Sequence, residues 1–152
     1  MKKFSVLLAM GLLFSLLFIS CDDDDDNYQR IDFSETPVAV QDFVKDHFTG
    51  VNVIYAEKNY NGYSVKLSGD IYMHFTTDGA WSKVDVNDIA EMPQSVIDLI
   101  PEKIVGYLET NHEGRKIESI TVKTTGYEVE LQGNPDVEII FDKEGNFVQY
   151  ED

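Results

Sequence analysis

Residues 126–147 read GYEVELQGNPDVEIIFDKEGNF, and residues 62–81 read GYSVKLSGDIYMHFTTDGAW. The two stretches are one pattern written twice. Gly62, Tyr63, Val65, Leu67 and Gly69 recur 64 positions later as Gly126, Tyr127, Val129, Leu131 and Gly133. The register then slips by two, and Asp70, Phe75 and Gly79 recur as Asp136, Phe141 and Gly145. Each copy holds two runs that alternate apolar and polar residues. That is the signature of half-buried strands, because successive side chains on a strand point to opposite faces. Tyr63, Val65 and Leu67 share a face with Ile71, Met73 and Phe75, as Tyr127, Val129 and Leu131 do with Val137, Ile139 and Phe141. Thr77-Asp78-Gly79 and Lys143-Glu144-Gly145 read as three-residue hairpin loops with glycine at the left-handed position. Such loops set Phe75 opposite Trp81 and Phe141 opposite Phe147. A one-residue slip would turn all these apolar side chains toward water.

Outward from this stretch the repeat continues. Pro37 and Gly50 recur as Pro101 and Gly114. Between them, Val40, Phe43, Val44 and Phe48, and then Ile100, Ile104, Tyr107 and Leu108, make apolar stripes at helical spacing. Pro37 suits the first helical position, with Thr36 or Ser34 as cap, and the glycines end the helices. Pro93 with Val96, Ile97 and Leu99 predicts a short extra helix, restarted at Pro101. Strand-like runs follow at 51–58, 62–68, 70–76 and 80–86, and again at 116–123, 126–132, 136–142 and 146–151. The expected fold is α+β: two tandem modules, 36–86 and 87–152, each one helix packed on a four-stranded antiparallel sheet. Modules of this size are marginal alone. They are expected to pack together, edge to edge, with 87–93 as the joint.

The N-terminus is of another kind. Lys2 and Lys3 precede an almost wholly apolar run over 4–19, which is short for a permanent membrane span. It ends at Leu17-Phe18-Ile19-Ser20-Cys21, which resembles a bacterial lipobox, so residues 1–21 read as a lipoprotein signal and Cys21 as the lipidated mature N-terminus. A single cysteine cannot staple an exported fold, which must rely on its hydrophobic core. Five aspartates follow at 22–26, and residues 22–35 read as an acidic, flexible leader. Five adjacent carboxylates cannot converge on one calcium ion from a regular backbone.

Charge narrows the partners. Two of the 12 basic residues lie in the signal, leaving ten against 28 acidic ones, a net of −18. Phosphate binding needs clustered Lys and Arg, so nucleic acid is excluded, and a protein or peptide partner with basic patches fits better. Attachment to an anionic lipid surface must come from the lipid on Cys21.

No catalytic set emerges. His47 and His112 sit near helix C-termini, where their charge suits the dipole. His74 has no second histidine at ligand spacing, so no zinc site is expected. There is no Gly-x-Ser-x-Gly turn, no phosphate loop, and no cofactor is implied. The face of each sheet away from its helix is where function is expected. Tyr72 and Val84, and likewise Ile140 and Val148, are read as neighbours there, with Lys66, His74 and Tyr150 beside them. These seven residues are the expected partner-binding set, because such half-apolar faces suggest contact with something.

The motif Gly126, Tyr127, Val129, Leu131 followed by Phe141, Asp142 and Gly145 is similar to that of PepSY-like, β-lactamase-inhibitor-like domains of secreted Bacteroides-type proteins. The first copy departs from it only at Thr76, where the aspartate would stand. The resemblance spans 36–152 and implies a tandem α+β architecture whose sheet surface can bind another protein. None of the contact residues of true β-lactamase-inhibitor proteins is matched. The aspartate run beside Cys21 resembles the surface-export signal of lipoproteins in such bacteria. Together these features imply an exported outer-membrane lipoprotein, facing the periplasm or the cell surface. Its expected role is non-catalytic binding; the alternatives are an inhibitor or regulator of a secreted hydrolase and a structural envelope component.

Overall fold

A computed structural model describes residues 28–87 and 90–151. Residues 1–21, read as the signal with Cys21 at its end, and the aspartate run lie outside the described residues. The chain runs through β1 (Gln29–Ile31), α1 (Val38–His47), β2 (Val53–Asn59), β3 (Gly62–Leu67), β4 (Ile71–Thr76) and β5 (Trp81–Asp85). It continues through α2 (Gln94–Ile97), α3 (Glu102–Asn111), β6 (Ile117–Lys123), β7 (Gly126–Leu131), β8 (Val137–Asp142) and β9 (Phe147–Glu151). All nine strands form one antiparallel sheet in chain order. The fold is α+β, with one continuous sheet in place of two four-stranded ones. The junction is β5 against β6, with Lys83 opposite Thr121, Val84 opposite Ile120 and Asp85 opposite Ser119.

The ninth strand was not expected. Residues 29–35, read as leader, hold β1 and a 3-10 turn at Phe33–Glu35. Ile31 lies opposite Ala56, and Ile31 and Phe33 pack half-buried against the core. The Asp32 N–H donates to the Glu35 carboxylate at 2.9 Å, closing the turn.

The two long helices, α1 and α3, lie over one side of the sheet because their apolar stripes have only that side to meet. Val40 and Val44 of α1, its C-cap Phe48, and Ile104 and Leu108 of α3 are buried. Phe43 stands edge-on to Phe75 and stacks on Trp81, with centroids 5.5 and 6.0 Å apart. Tyr107 meets Phe141 and Phe147 in the same two ways at 5.4 and 5.0 Å. Pro37 and Pro101 are the N-cap residues themselves, without a side-chain cap. Thr36 instead donates its hydroxyl to the Phe33 carbonyl at 2.7 Å.

The core follows one cross-strand row. Ile31 faces Ala56, which faces Val65, then Met73, then Val84. Beyond the junction the row continues through Ile120, Val129 and Ile139 to Tyr150. Every member between the two end residues is buried.

Four bulges set which residues join it. Pairing shifts between Val53 and Tyr55 and, at the equivalent place, between Ile117 and Ser119. It shifts again where Phe75 faces Trp81 but His74 faces Lys83, and where Phe141 faces Phe147 but Ile140 faces Gln149. Phe75–Trp81 and Phe141–Phe147 therefore pair as expected, and one extra residue, Ser82 or Val148, follows each.

Candidate functional site

The side of the sheet away from the helices carries its own continuous rows. One runs from Arg30 through Glu57, Ser64 and His74 to Lys83. It goes on through Thr121, Glu128 and Ile140 to Gln149. The next row runs Tyr55, Lys66, Tyr72, Asp85 and then Ser119, Glu130, Glu138 and Glu151.

Of the seven expected contact residues, Lys66, Tyr72, His74 and Ile140 lie in these rows. Val84 and Tyr150 do not. The bulges carry both to the helix side, where Val84 is fully buried opposite Met73 and Tyr150 lies opposite Ile139. Val148 is the bulged residue itself, 52% exposed, and Ile140 neighbours Gln149 instead of it. The residues that replace them on the face are Lys83, Asp85, Gln149 and Glu151. A signal for this was present: Trp81 and Val84 are three apart, so both can be buried on one face only if a residue is inserted between them.

The two halves of the face differ in chemistry. On the β2–β5 half, charges are balanced and tied together. Lys66 contacts the Tyr72 hydroxyl and sits 2.9 Å from the Asp70 carboxylate. The Tyr72 hydroxyl first, then Asp70, hold the Lys66 ammonium above its ordinary range. Lys83 pairs with Asp85 at 3.2 Å, and Arg30 with Glu57 at 3.6 Å. Ser64 Oγ and His74 Nδ1 are 2.9 Å apart. Burial first, then the Lys83 charge, push His74 below the usual histidine range, while Asp85 pulls the other way. Among the described residues no carboxylate hydrogen-bonds to His74, as the orienting group of a nucleophilic triad would.

On the β7–β9 half, Glu130, Glu138 and Glu151 stand directly opposite one another on neighbouring strands. Like charges in direct cross-strand register destabilise a sheet. Carboxylate oxygens of Glu128, Glu138 and Glu151 lie within 4.8 Å of one another. Lys123 contacts Glu128, and the Ser119 hydroxyl donates to Glu130 at 3.2 Å. The sequence reading did not single out this carboxylate group, because its members come from three strands.

Elsewhere, a groove of about 400 Å³ lies between α2, α3 and the start of β6, lined by Ile97, Val105, Leu108 and Ile117 with Arg115 and Lys116 at its rim. Arg115 is committed to structure: it donates to the carbonyls of Gln132 at 2.9 Å and Pro135 at 2.7 Å.

Comparison with known proteins agrees with this architecture. A solved structure described as a "putative periplasmic protein of unknown function" from Bacteroides vulgatus is 28% identical, with a TM-score of 0.72, covering 82% of this chain and 99% of that one. Another, described as a "putative calcium-regulated periplasmic protein" from Bacteroides thetaiotaomicron, is 26% identical, with a TM-score of 0.74, covering 84% and 98%. A search of curated proteins finds no match. These likenesses support an exported protein. The family model described as "Putative beta-lactamase-inhibitor-like, PepSY-like" matches residues 24–80 and again 72–149, and the chain belongs to that family.

Proposed function

We propose that the chain is a non-catalytic binding module of an exported lipoprotein, tethered through Cys21, that engages a protein or peptide partner through the open face of its sheet. The observation that carries this is the uncovered face itself: two polar rows span eight or nine strands, and no described helix crosses them. Within the face, Lys66 is tied to Tyr72 and His74 to Ser64, all half-buried, and Ile140 is the apolar element of the acidic half. Aromatic groups held by neighbours make good contact points, because little freedom remains to be lost on binding. The test is crosslinking in the native envelope with the wild type and with Tyr72→Glu and Ile140→Glu. The reading expects loss of the captured neighbour with an unchanged melting temperature. A fall in melting temperature without loss of the neighbour rejects it.

A second reading is favoured by one specific observation, the convergence of Glu128, Glu138 and Glu151. A hard cation takes carboxylate oxygens from several strands readily, and one similar solved structure is described as calcium-regulated. On this reading calcium raises the melting temperature of the wild type and not that of Glu138→Gln. An equal response of both rejects it.

A further inference from the structure

Three strands of this sheet occupy equivalent places. β1 covers β2 with Ile31 opposite Ala56 and Arg30 opposite Glu57. β5 covers β6 with Val84 opposite Ile120 and Lys83 opposite Thr121. Under the 64-residue repeat, Ala56 corresponds to Ile120 and Glu57 to Thr121, so Arg30-Ile31-Asp32 takes the place of Lys83-Val84-Asp85. Gln149-Tyr150-Glu151 is the third member, since Ile139 faces Tyr150 as Met73 faces Val84. Among the described strands, β9 alone of the three has no neighbour on the side where β2 or β6 would lie.

The consequence shows in exposure. Val84 is fully buried, while its counterpart Tyr150 is 47% exposed, with Phe147 and Val148 also open. An edge strand normally carries lysine, proline or a covering loop against unwanted pairing. β9 reads Phe-Val-Gln-Tyr-Glu, with no lysine or proline, and its bulge at Val148 precedes the Gln149–Glu151 stretch. Its apolar side is also held in place. Tyr107 stacks flat on Phe147, and the Tyr150 hydroxyl meets the Tyr107 hydroxyl at 3.0 Å and His112 Nε2 at 3.2 Å. On its other side β9 adjoins Glu138 and, through Glu151, the carboxylate group.

We propose that the free edge of β9 takes up an extended segment of a partner protein by antiparallel strand addition. That segment carries an aliphatic residue opposite Tyr150, as Ile120 lies opposite Val84, and a basic residue opposite Glu151. Main-chain hydrogen bonds supply the attachment and alternate side chains the selectivity. Charge decides the occupant. A second copy brings the same excess of acid to an edge already crowded with carboxylates. Its β2 edge is guarded by β1, where Arg30 pairs with Glu57 and lies over the Tyr55 ring at 4.2 Å. The proposal shares with the preceding section the reading of the chain as a binding module, but places this contact on the edge and not on the face.

The probe is a synthetic peptide of the β6 sequence, residues 117–123, carrying Ser119→Lys, beside the same peptide carrying Ser119→Glu. Amide hydrogen exchange on the protein should slow in β9 with the lysine peptide, which should bind roughly five- to tenfold more tightly than the glutamate one. Glu151→Lys, a surface change that leaves folding intact, should reverse that preference, and Tyr72→Glu on the face should leave it unaltered. Equal affinity of the two peptides, protection elsewhere than β9, or concentration-dependent self-association through β9 would overturn the proposal.

Discussion

Gly62 and Gly126 hold backbone angles of φ 148° and 153° while the next strand passes directly over them. A Cβ at Gly62 would lie 1.9 Å from the Phe75 carbonyl oxygen, and one at Gly126 would lie 2.0 Å from that of Phe141. Both offending atoms are backbone and cannot step aside. Gly126→Ala is therefore expected to cost about 3 kcal/mol, combining strain and overpacking, measured as a shift in urea midpoint at constant slope. Gly50 has open space where a Cβ would stand and should respond less. His74 supplies a prediction of another kind. Burial holds its folded value below the ordinary 6.5, so the unfolded chain takes up the proton first. Stability is then undiminished above that value and falls as pH drops below it. The loss between about pH 7.5 and about pH 5.5 should be smaller in His74→Gln than in the wild type, in parallel urea titrations. An equal loss would place the acid sensitivity elsewhere.

The bulges act on whole strands. Deleting Ser82 would leave Trp81 and Val84 two residues apart, so simple alternation would keep both on the core side and Lys83 on the open face, in the pairings already present. The deletion should therefore be tolerated, with a cooperative melt retained in thermal denaturation, whereas Val84→Lys at the same strand should abolish it. Deletion of Val148 should likewise keep Phe147 and Tyr150 on the helix side and Gln149 on the open face. Period-two runs, hairpin loops and helix stripes were legible in the sequence because each is a local pattern with a local cause. The Phe75–Trp81 and Phe141–Phe147 pairs followed from loop length alone. The fates of Val84 and Tyr150 did not, since a bulge shifts everything after it while leaving each residue's own preference unchanged. β1 escaped notice for a related reason: three residues hold too short a run to show a period, and only the partner strand reveals that Ile31 continues the core row. The candidate face was accordingly read half correctly. Lys66, Tyr72, His74 and Ile140 precede the bulges in their hairpins and kept their places.

Across the whole molecule, the β5–β6 junction buries Val84 and Ile120 against each other and joins both repeats into one core. Calorimetry should therefore show a single unfolding transition, and residues 28–87 alone should not fold cooperatively. Two separated transitions would mean that the repeats are thermodynamically independent. The acidic half of the face adds a global asymmetry, since Glu130, Glu138 and Glu151 are stacked where the other half carries balanced pairs. The strict chain order of the sheet bears on assembly of the fold itself. Each strand pairs with the one made just before it, and only the two helix-bearing connections separate paired strands by more than a turn. Such a topology has low contact order for an all-antiparallel sheet, so loop-closure entropy is met in small steps. Each hairpin can close as soon as its second strand is free, and the sheet can grow from β1 toward β9 as the chain emerges, without waiting for a distant segment.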